Sequence, residues 1–171
     1  MDPHERADFH AYVVARSTAL LRTAYLLTGD RGDAEDLLQT ALARLAVSWH
    51  RVQAREALDA YVRRTMVHQQ ISHWRRRRVP SVSVADVPET TSSGSIPGPE
   101  TRLVLWTALQ RLPARQRAAV VLRFWEDLSE TETAAVLGCA VGTVKSQTSR
   151  ALAKLRADTG LRDLAPTEMS T

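Results

Sequence analysis

The sequence predicts an all-α chain made of two small helical domains joined by a flexible linker. Three observations carry this. Strand-like alternation of apolar and polar residues is nearly absent, whereas apolar stripes at helical spacing recur from Phe9 to Leu155. A stretch rich in Pro, Gly, Ser and Thr separates the stripes into two groups. Near the C-terminus, a capped short helix, a glycine and a second helix follow one another in the pattern of a helix-turn-helix.

The first stripe is Phe9, Tyr12, Val13, Ala19, Leu20, Thr23, Ala24 and Leu27, closed by Thr28-Gly29-Asp30. A second helix should open at Asp33-Ala34-Glu35-Asp36, whose carboxylates suit the positive end of the helix dipole. Its core face is Ala34, Leu37, Leu38, Ala41, Leu42 and Leu45. A third helix is expected from Glu56 to Arg78, burying Leu58, Tyr61, Val62, Thr65 and Met66. Residues 79–100 contain Pro80, Pro88, Pro97, Pro99, Gly94 and Gly98 among Ser and Thr, and read as linker. Fully extended, such a segment reaches roughly 70 Å, enough for the two halves to bind well-separated parts of one ligand. Beyond it come Leu103, Ala108, Leu109 and Leu112, then a helix from Pro113 to Trp125 with proline in its first turn.

The helix-turn-helix spans Leu128 to Arg150. Ser129 and Glu132 have capping-box spacing, Ala134 and Ala135 allow close helix approach, and Gly138 suits a left-handed C-cap. Thr143 is placed to cap the next helix. Val144, Thr148, Ala151, Leu152 and Leu155 form that helix's apolar face. The opposite face carries Lys145, Ser146, Ser149 and Arg150, all donors with no acid among them. A solvated helical hairpin would not require an acid-free face; a helix entering the DNA major groove would.

Charge distribution points the same way. The formal net charge is only +4, and residues 1–60 hold seven Arg against nine acids. Residues 60–85, by contrast, carry Arg63, Arg64, Arg75, Arg76, Arg77 and Arg78 with no acid, the footprint of a phosphate-facing surface or, taken alone, equally of a solvated charge run. The single cysteine, Cys139, excludes a disulfide framework and a thiolate zinc cluster, and suits a small buried apolar residue. Met1-Asp2-Pro3-His4-Glu5 is not a signal peptide, and no apolar run approaches membrane-spanning length, so the expected location is the cytoplasm. His4, His10, His50, His68 and His73 have no metal-ligand spacing. With no phosphate loop, nucleophile elbow or carboxylate pair, the expectation is no enzyme, no cofactor and no metal.

Five motifs in order then carry a family resemblance: Ala34-Glu35-Asp36-Leu37-Leu38-Gln39, Tyr61-Val62-Arg63-Arg64, Ile71-Ser72-His73-Trp74-Arg75-Arg76, Leu112-Pro113-Ala114-Arg115-Gln116-Arg117 and Gly142-Thr143-Val144-Lys145-Ser146. The chain resembles an extracytoplasmic-function sigma factor, of the sigma-70 family, over about residues 7–157. Any one motif is weakly specific; five at fitting separations are highly specific. The resemblance implies region 2 at 7–78, a linker at 79–100 threading toward the polymerase active-site and RNA-exit region, region 4 at 101–157, and a tail at 158–171. It implies core RNA polymerase and promoter DNA as partners, and an anti-sigma factor is common in the family.

By the same resemblance, Asp36, Gln39, Ala43 and Arg44 match the face that docks on the polymerase clamp. Arg63, Arg64, His68, Gln69, Ser72, His73, Trp74, Arg75 and Arg76 match the element that captures the melted −10 strand, with the loop at His50–Ala57 as the pocket for a flipped base. The chemistry suits a single strand, which needs rings to stack on, edge donors and cations. Trp74 fits either that role or a core position closing the helix. Thr143, Lys145, Ser146, Ser149 and Arg150 match the −35 reader. His68 stands where many relatives have Asn. Thr133 and Thr148 replace branched apolar residues, so two hydroxyls facing a small core need partners, and this domain is expected to lean on polymerase. The rival reading is a stand-alone helix-turn-helix regulator that binds duplex operators, which leaves residues 30–78 without a role.

Overall fold

The computed structural model describes residues 2–52, 55–76 and 99–162. Within them every regular element is helical: α1 (Pro3–Thr28), α2 (Arg31–Ser48), a single 3₁₀ turn (Trp49–Arg51), α3 (Arg55–Arg76), α4 (Pro99–Gln110), α5 (Ala114–Val120), α6 (Glu130–Leu137), α7 (Val141–Ala157) and α8 (Thr159–Arg162). Most of the expected linker, up to Gly98, lies outside the described residues, as do Arg77 and Arg78.

Local chemistry sets the helix ends. Asp2 and Glu5 form a reciprocal capping box around Pro3, which occupies the first turn of α1. Gly29 (φ 90°) ends the helix in the left-handed region, and its N–H donates to Tyr25 O. Asp30 then caps α2 by accepting from Asp33 N, so this helix begins at Arg31, ahead of the acidic run where the sequence placed it. Pro113 precedes α5 as its N-cap (φ −55°, ψ 145°) and is not its first helical residue.

The continuous helix expected from Pro113 to Trp125 is interrupted. After Val120 the chain widens into a π-type turn over Val121–Trp125, with Glu126 N donating to Val121 O at 3.0 Å. The extra residue per turn shifts the phase of the side chains. Phe124 and Trp125 face outward, 59% and 45% exposed, whereas the Glu126 carboxylate turns inward. Asp127 (φ 51°) completes the reversal into α6.

In the first half, Leu37, Leu38, Ala41 and Leu45 of α2 pack with Leu20, Ala24 and Leu27 of α1 and with Leu58, Val62, Met66 and Val67 of α3. Trp49 closes one end of the bundle edge-on to Phe9, at 5.2 Å between ring centroids. In the second half, α7 lays Val144 and Ala151, both fully buried, against the preceding helices.

The two helical domains also pack against each other. One core cluster runs from Leu20 through Met66 to Trp106, Leu122, Val136 and Val144. Tyr25 of α1 stacks on Trp106 of α4 at 4.2 Å with an interplanar angle of 12°. The sequence reading assigned each apolar stripe to its own half, and a stripe does not say which neighbour will cover it.

The concern over buried hydroxyls holds. Thr133 is 0% exposed, and the Oγ1 atoms of Thr133 and Thr148 are buried without a hydrogen-bond partner among the described residues. Thr133→Val removes an unpaired buried hydroxyl at nearly constant shape, so it should stabilise the chain by about 1 kcal/mol. Denaturant unfolding would show this as a higher midpoint at unchanged slope.

Candidate nucleic-acid interface

The C-terminal motif is built from its caps outward. Ser129 Oγ accepts from Glu132 N at 3.1 Å, and Glu132 Oε2 accepts from Ser129 N at 2.7 Å. The Ser129 hydroxyl and amide together hold the Glu132 carboxyl below its ordinary pKa. Gly138 (φ 63°) ends α6 in the left-handed region, as expected. The cap assigned to Thr143 is not there. Ala140 is the N-cap, without a side-chain bond, and α7 starts at Val141, so Thr143 already lies in its first turn. Thr143 N donates to Ala140 O at 2.9 Å.

Lys145, Ser149 and Arg150 are exposed on the face of α7 opposite Val144 and Ala151. Ser146 and Thr143 are half-buried, and the Ser146 hydroxyl donates to Thr143 O at 2.9 Å. Lys145 lies 3.6 Å from Glu130 of α6, a loose surface pair that a phosphate could displace at little cost.

The third helix distributes its polar residues less simply. Arg64, Ser72 and His73 are exposed. Arg63 is largely covered and pairs through Nε with Glu126 Oε2; Asp59 stands 3.7 Å from its Nη2. Glu126 also accepts the Thr23 hydroxyl. Asp59 in turn accepts from Tyr12 and Arg16, and burial, with Asp59 beside it, pushes the Tyr12 pKa up. His68 Nε2 lies 2.9 Å from Val136 O. Gln69 is half-buried with its Oε1 unpartnered among the described residues, while Gln70 is buried and donates to Leu27 O. Trp74 is 40% exposed, so it is not a core residue; the Arg117 guanidinium lies over its ring at 5.5 Å. The side chains of Arg75 and Arg76 lie outside the described residues. So do residues 53–54 of the His50–Ala57 loop and the side chains of Arg55 and Glu56; His50 and Arg51 are exposed.

On α2, Asp36, Gln39, Ala43 and Arg44 are all exposed and share the outer face. Val47, 79% exposed, extends that face by one turn. The sequence reading passed over it because a lone valine four residues after Ala43 carries no polar signature. Glu126 and Arg117 were missed as well, the first because only the π-type turn aims it inward. The second had a signal: an arginine directly leading the apolar run Ala118-Ala119-Val120-Val121-Leu122. Among the described residues, no group of His, Cys, Asp and Glu is arranged to hold a metal ion. No helix among them is long and apolar enough to cross a membrane.

Comparison with known proteins decides what these surfaces belong to. Residues 12–79 match the family model for sigma-70 region 2, and residues 102–155 match that for sigma-70 region 4. The chain is 43% identical to the RNA polymerase sigma-E factor of Streptomyces coelicolor, over 94% of its own length and 90% of the relative's. It belongs to the sigma-70 family, in the extracytoplasmic-function branch. The ECF sigma factor SigM of Mycobacterium tuberculosis is 36% identical over 80% of this chain and 69% of that one. Among solved structures, the sigma factor RpoE of Bartonella quintana, in complex with the anti-sigma factor NepR, superposes with a TM-score of 0.72. That match has 28% identity and covers 92% of this chain and 98% of the other. CnrH, solved with the cytosolic domain of CnrY, shares the fold at a TM-score of 0.63 and 23% identity.

The match to region 2 gives the first half of this sigma factor its role and removes the stand-alone regulator. This is a polymerase-associated transcription initiation factor.

Proposed function

We propose a division of labour in which α7 of this sigma factor reads duplex DNA at the −35 element, α3 holds the melted −10 strand, and the outer face of α2 docks on core polymerase. The observation that carries it is the contrast on α7. One face is locked into the core through Val144 and Ala151, and the other presents Lys145, Ser149 and Arg150 to solvent with no acid among them. A helix held rigidly by one side and cationic on the other is suited to a groove lined with phosphates. On α3, His73 and Trp74 offer rings, Ser72 a donor and Arg64 a charge, all exposed. The exposed α2 face from Asp36 to Val47 is distinct from both DNA surfaces, so polymerase and promoter can be engaged together.

The chain acts in the cytoplasm, where polymerase and promoter are, and catalyses no reaction of its own. An anti-sigma factor belongs to this reading, because the solved relative RpoE was captured with one along a fold that matches most of this chain.

The assignment of α3 predicts a kinetic signature. His73→Ala with Trp74→Ala removes stacking surface worth about 1–3 kcal/mol per base. In the holoenzyme this should slow open-complex formation roughly ten-fold or more while leaving closed-complex affinity close to that of the parent. Permanganate footprinting and gel shift separate the two steps. Equal loss in both would show that α3 only grips duplex phosphate.

A further inference from the structure

One side chain of α1 meets the chain on both sides of the entry into α3. Before that entry, Trp49 packs edge-on to Phe9 and lies tilted against the Tyr12 ring, 6.1 Å between centroids. After it, the hydroxyl of the same Tyr12 donates to Asp59 Oδ1 at 2.9 Å, just beyond the first turn of α3. We propose that Tyr12 is a positioning residue for capture of the melted −10 strand. It fixes the 3₁₀ turn and the start of α3 relative to one another, and so aims the strand-facing side chains that they carry. The proposal deepens the reading of α3 as the strand reader and rests on it.

The two contacts use different parts of one rigid side chain. The ring joins Phe9 and Trp49 at the edge of the core, and the half-buried hydroxyl needs a polar partner there. Burial, with Asp59 adding to it, pushes the Tyr12 pKa up, so the phenol stays a donor. Its acceptor is held in turn. The Asp59 side chain is 18% exposed, accepts from Arg16 Nε at 3.1 Å and pairs with Arg16 Nη2, one turn further along α1. Arg63 Nη2 stands 3.7 Å away, one turn further along α3. With a cation on each helix, the carboxylate is fixed where the phenol meets it, and such a network is stiffer than its separate bonds.

What the brace presents is polar and open. Val52 N donates to Trp49 O at 3.2 Å, closing the turn. His50 and Arg51 are exposed on it, with Arg51 Nε donating to His50 Nε2 at 3.3 Å. On α3, Arg64 is exposed as well. An unstacked base is held only where rings, donors and cations converge on it. Groups misplaced by about 1 Å can lose roughly a hundred-fold in effect, so the residue that sets their spacing matters without touching DNA.

Tyr12→Phe keeps the ring against Trp49 and removes only the donor to Asp59, so the unfolding midpoint should fall by about 2–4 °C. The holoenzyme is assembled with core polymerase. Its affinity is measured for a fork-junction template whose −10 non-template strand is intact or carries one abasic nucleotide at each position in turn. With the parent chain, one abasic position should cost the most. Tyr12→Phe should weaken binding of the intact strand roughly five-fold or more, and weaken that abasic strand much less, because the two losses share one interaction. Asp59→Glu, which keeps the charge for both arginines but displaces the acceptor, should give the same pattern. Equal weakening of both strands would show that Tyr12 only stabilises the fold. No weakening of either would show that the turn and α3 keep their places without it. Either result overturns the proposal. Failure of the strand-reading assignment itself looks different: no single abasic position would matter, even with the parent chain.

Discussion

Replacing Lys145 and Arg150 together with alanine is expected to cut transcription from −35-dependent promoters roughly ten- to hundred-fold, while binding to core polymerase is unchanged. Both side chains are exposed on α7, and Lys145 makes only a loose pair, with Glu130 at 3.6 Å, among the described residues. A guanidinium reading guanine contributes about 1–3 kcal/mol of discrimination, and a plain phosphate contact adds affinity with a salt slope near one. The two kinds of contact can be told apart by making each single variant and titrating salt. The base-reading residue relaxes sequence preference when removed. The phosphate-binding one weakens all sequences alike and flattens the salt dependence. Stability should not change, because neither side chain contributes to the core.

Leu45→Ala should destabilise the chain by about 2–5 kcal/mol, the range for emptying a fully buried aliphatic site. Leu45 is 0% exposed and lies in the cluster that joins α2 to α1 and α3. The informative control is two residues away. Val47 is 79% exposed on the outer face of α2. Val47→Ser should leave the unfolding midpoint within error and weaken core polymerase binding. Thermal unfolding and a pull-down with core enzyme read the two effects separately. Loss of stability in both variants would mean that α2 has no free outer face.

What could be read in the sequence was local. The Ser129–Glu132 box, the helix end at Gly29, the left-handed Gly138 and the apolar face of α2 each follow from residues within a few positions of one another, and each is present. The errors arose where tertiary or finer backbone geometry decides. Thr143 loses its capping role because α7 begins at Val141. The π-type turn after Val120 changes which of Phe124, Trp125 and Glu126 faces inward, and no periodicity announces one extra residue in a turn. The seam between the halves was invisible for a related reason. Tyr25 and Trp106 are 81 positions apart in the chain, and only the fold stacks them. Of the site residues, the exposed cations of α7 were the most legible, because an acid-free helix face is a property of one short segment. The contacts of Arg63, His68 and Trp74 were the least legible, since each partner lies in the other half.

Run-off transcription with purified core RNA polymerase across a genomic promoter library, set beside gel shifts of the chain alone, distinguishes a polymerase-dependent promoter reader from a factor that binds DNA by itself. Discrete transcripts from a small set of promoters are expected only when chain and core are both present, with no promoter-specific shift by the chain alone. Failure to bind core polymerase, together with tight sequence-specific duplex binding by the chain alone, would contradict the polymerase-dependent reading.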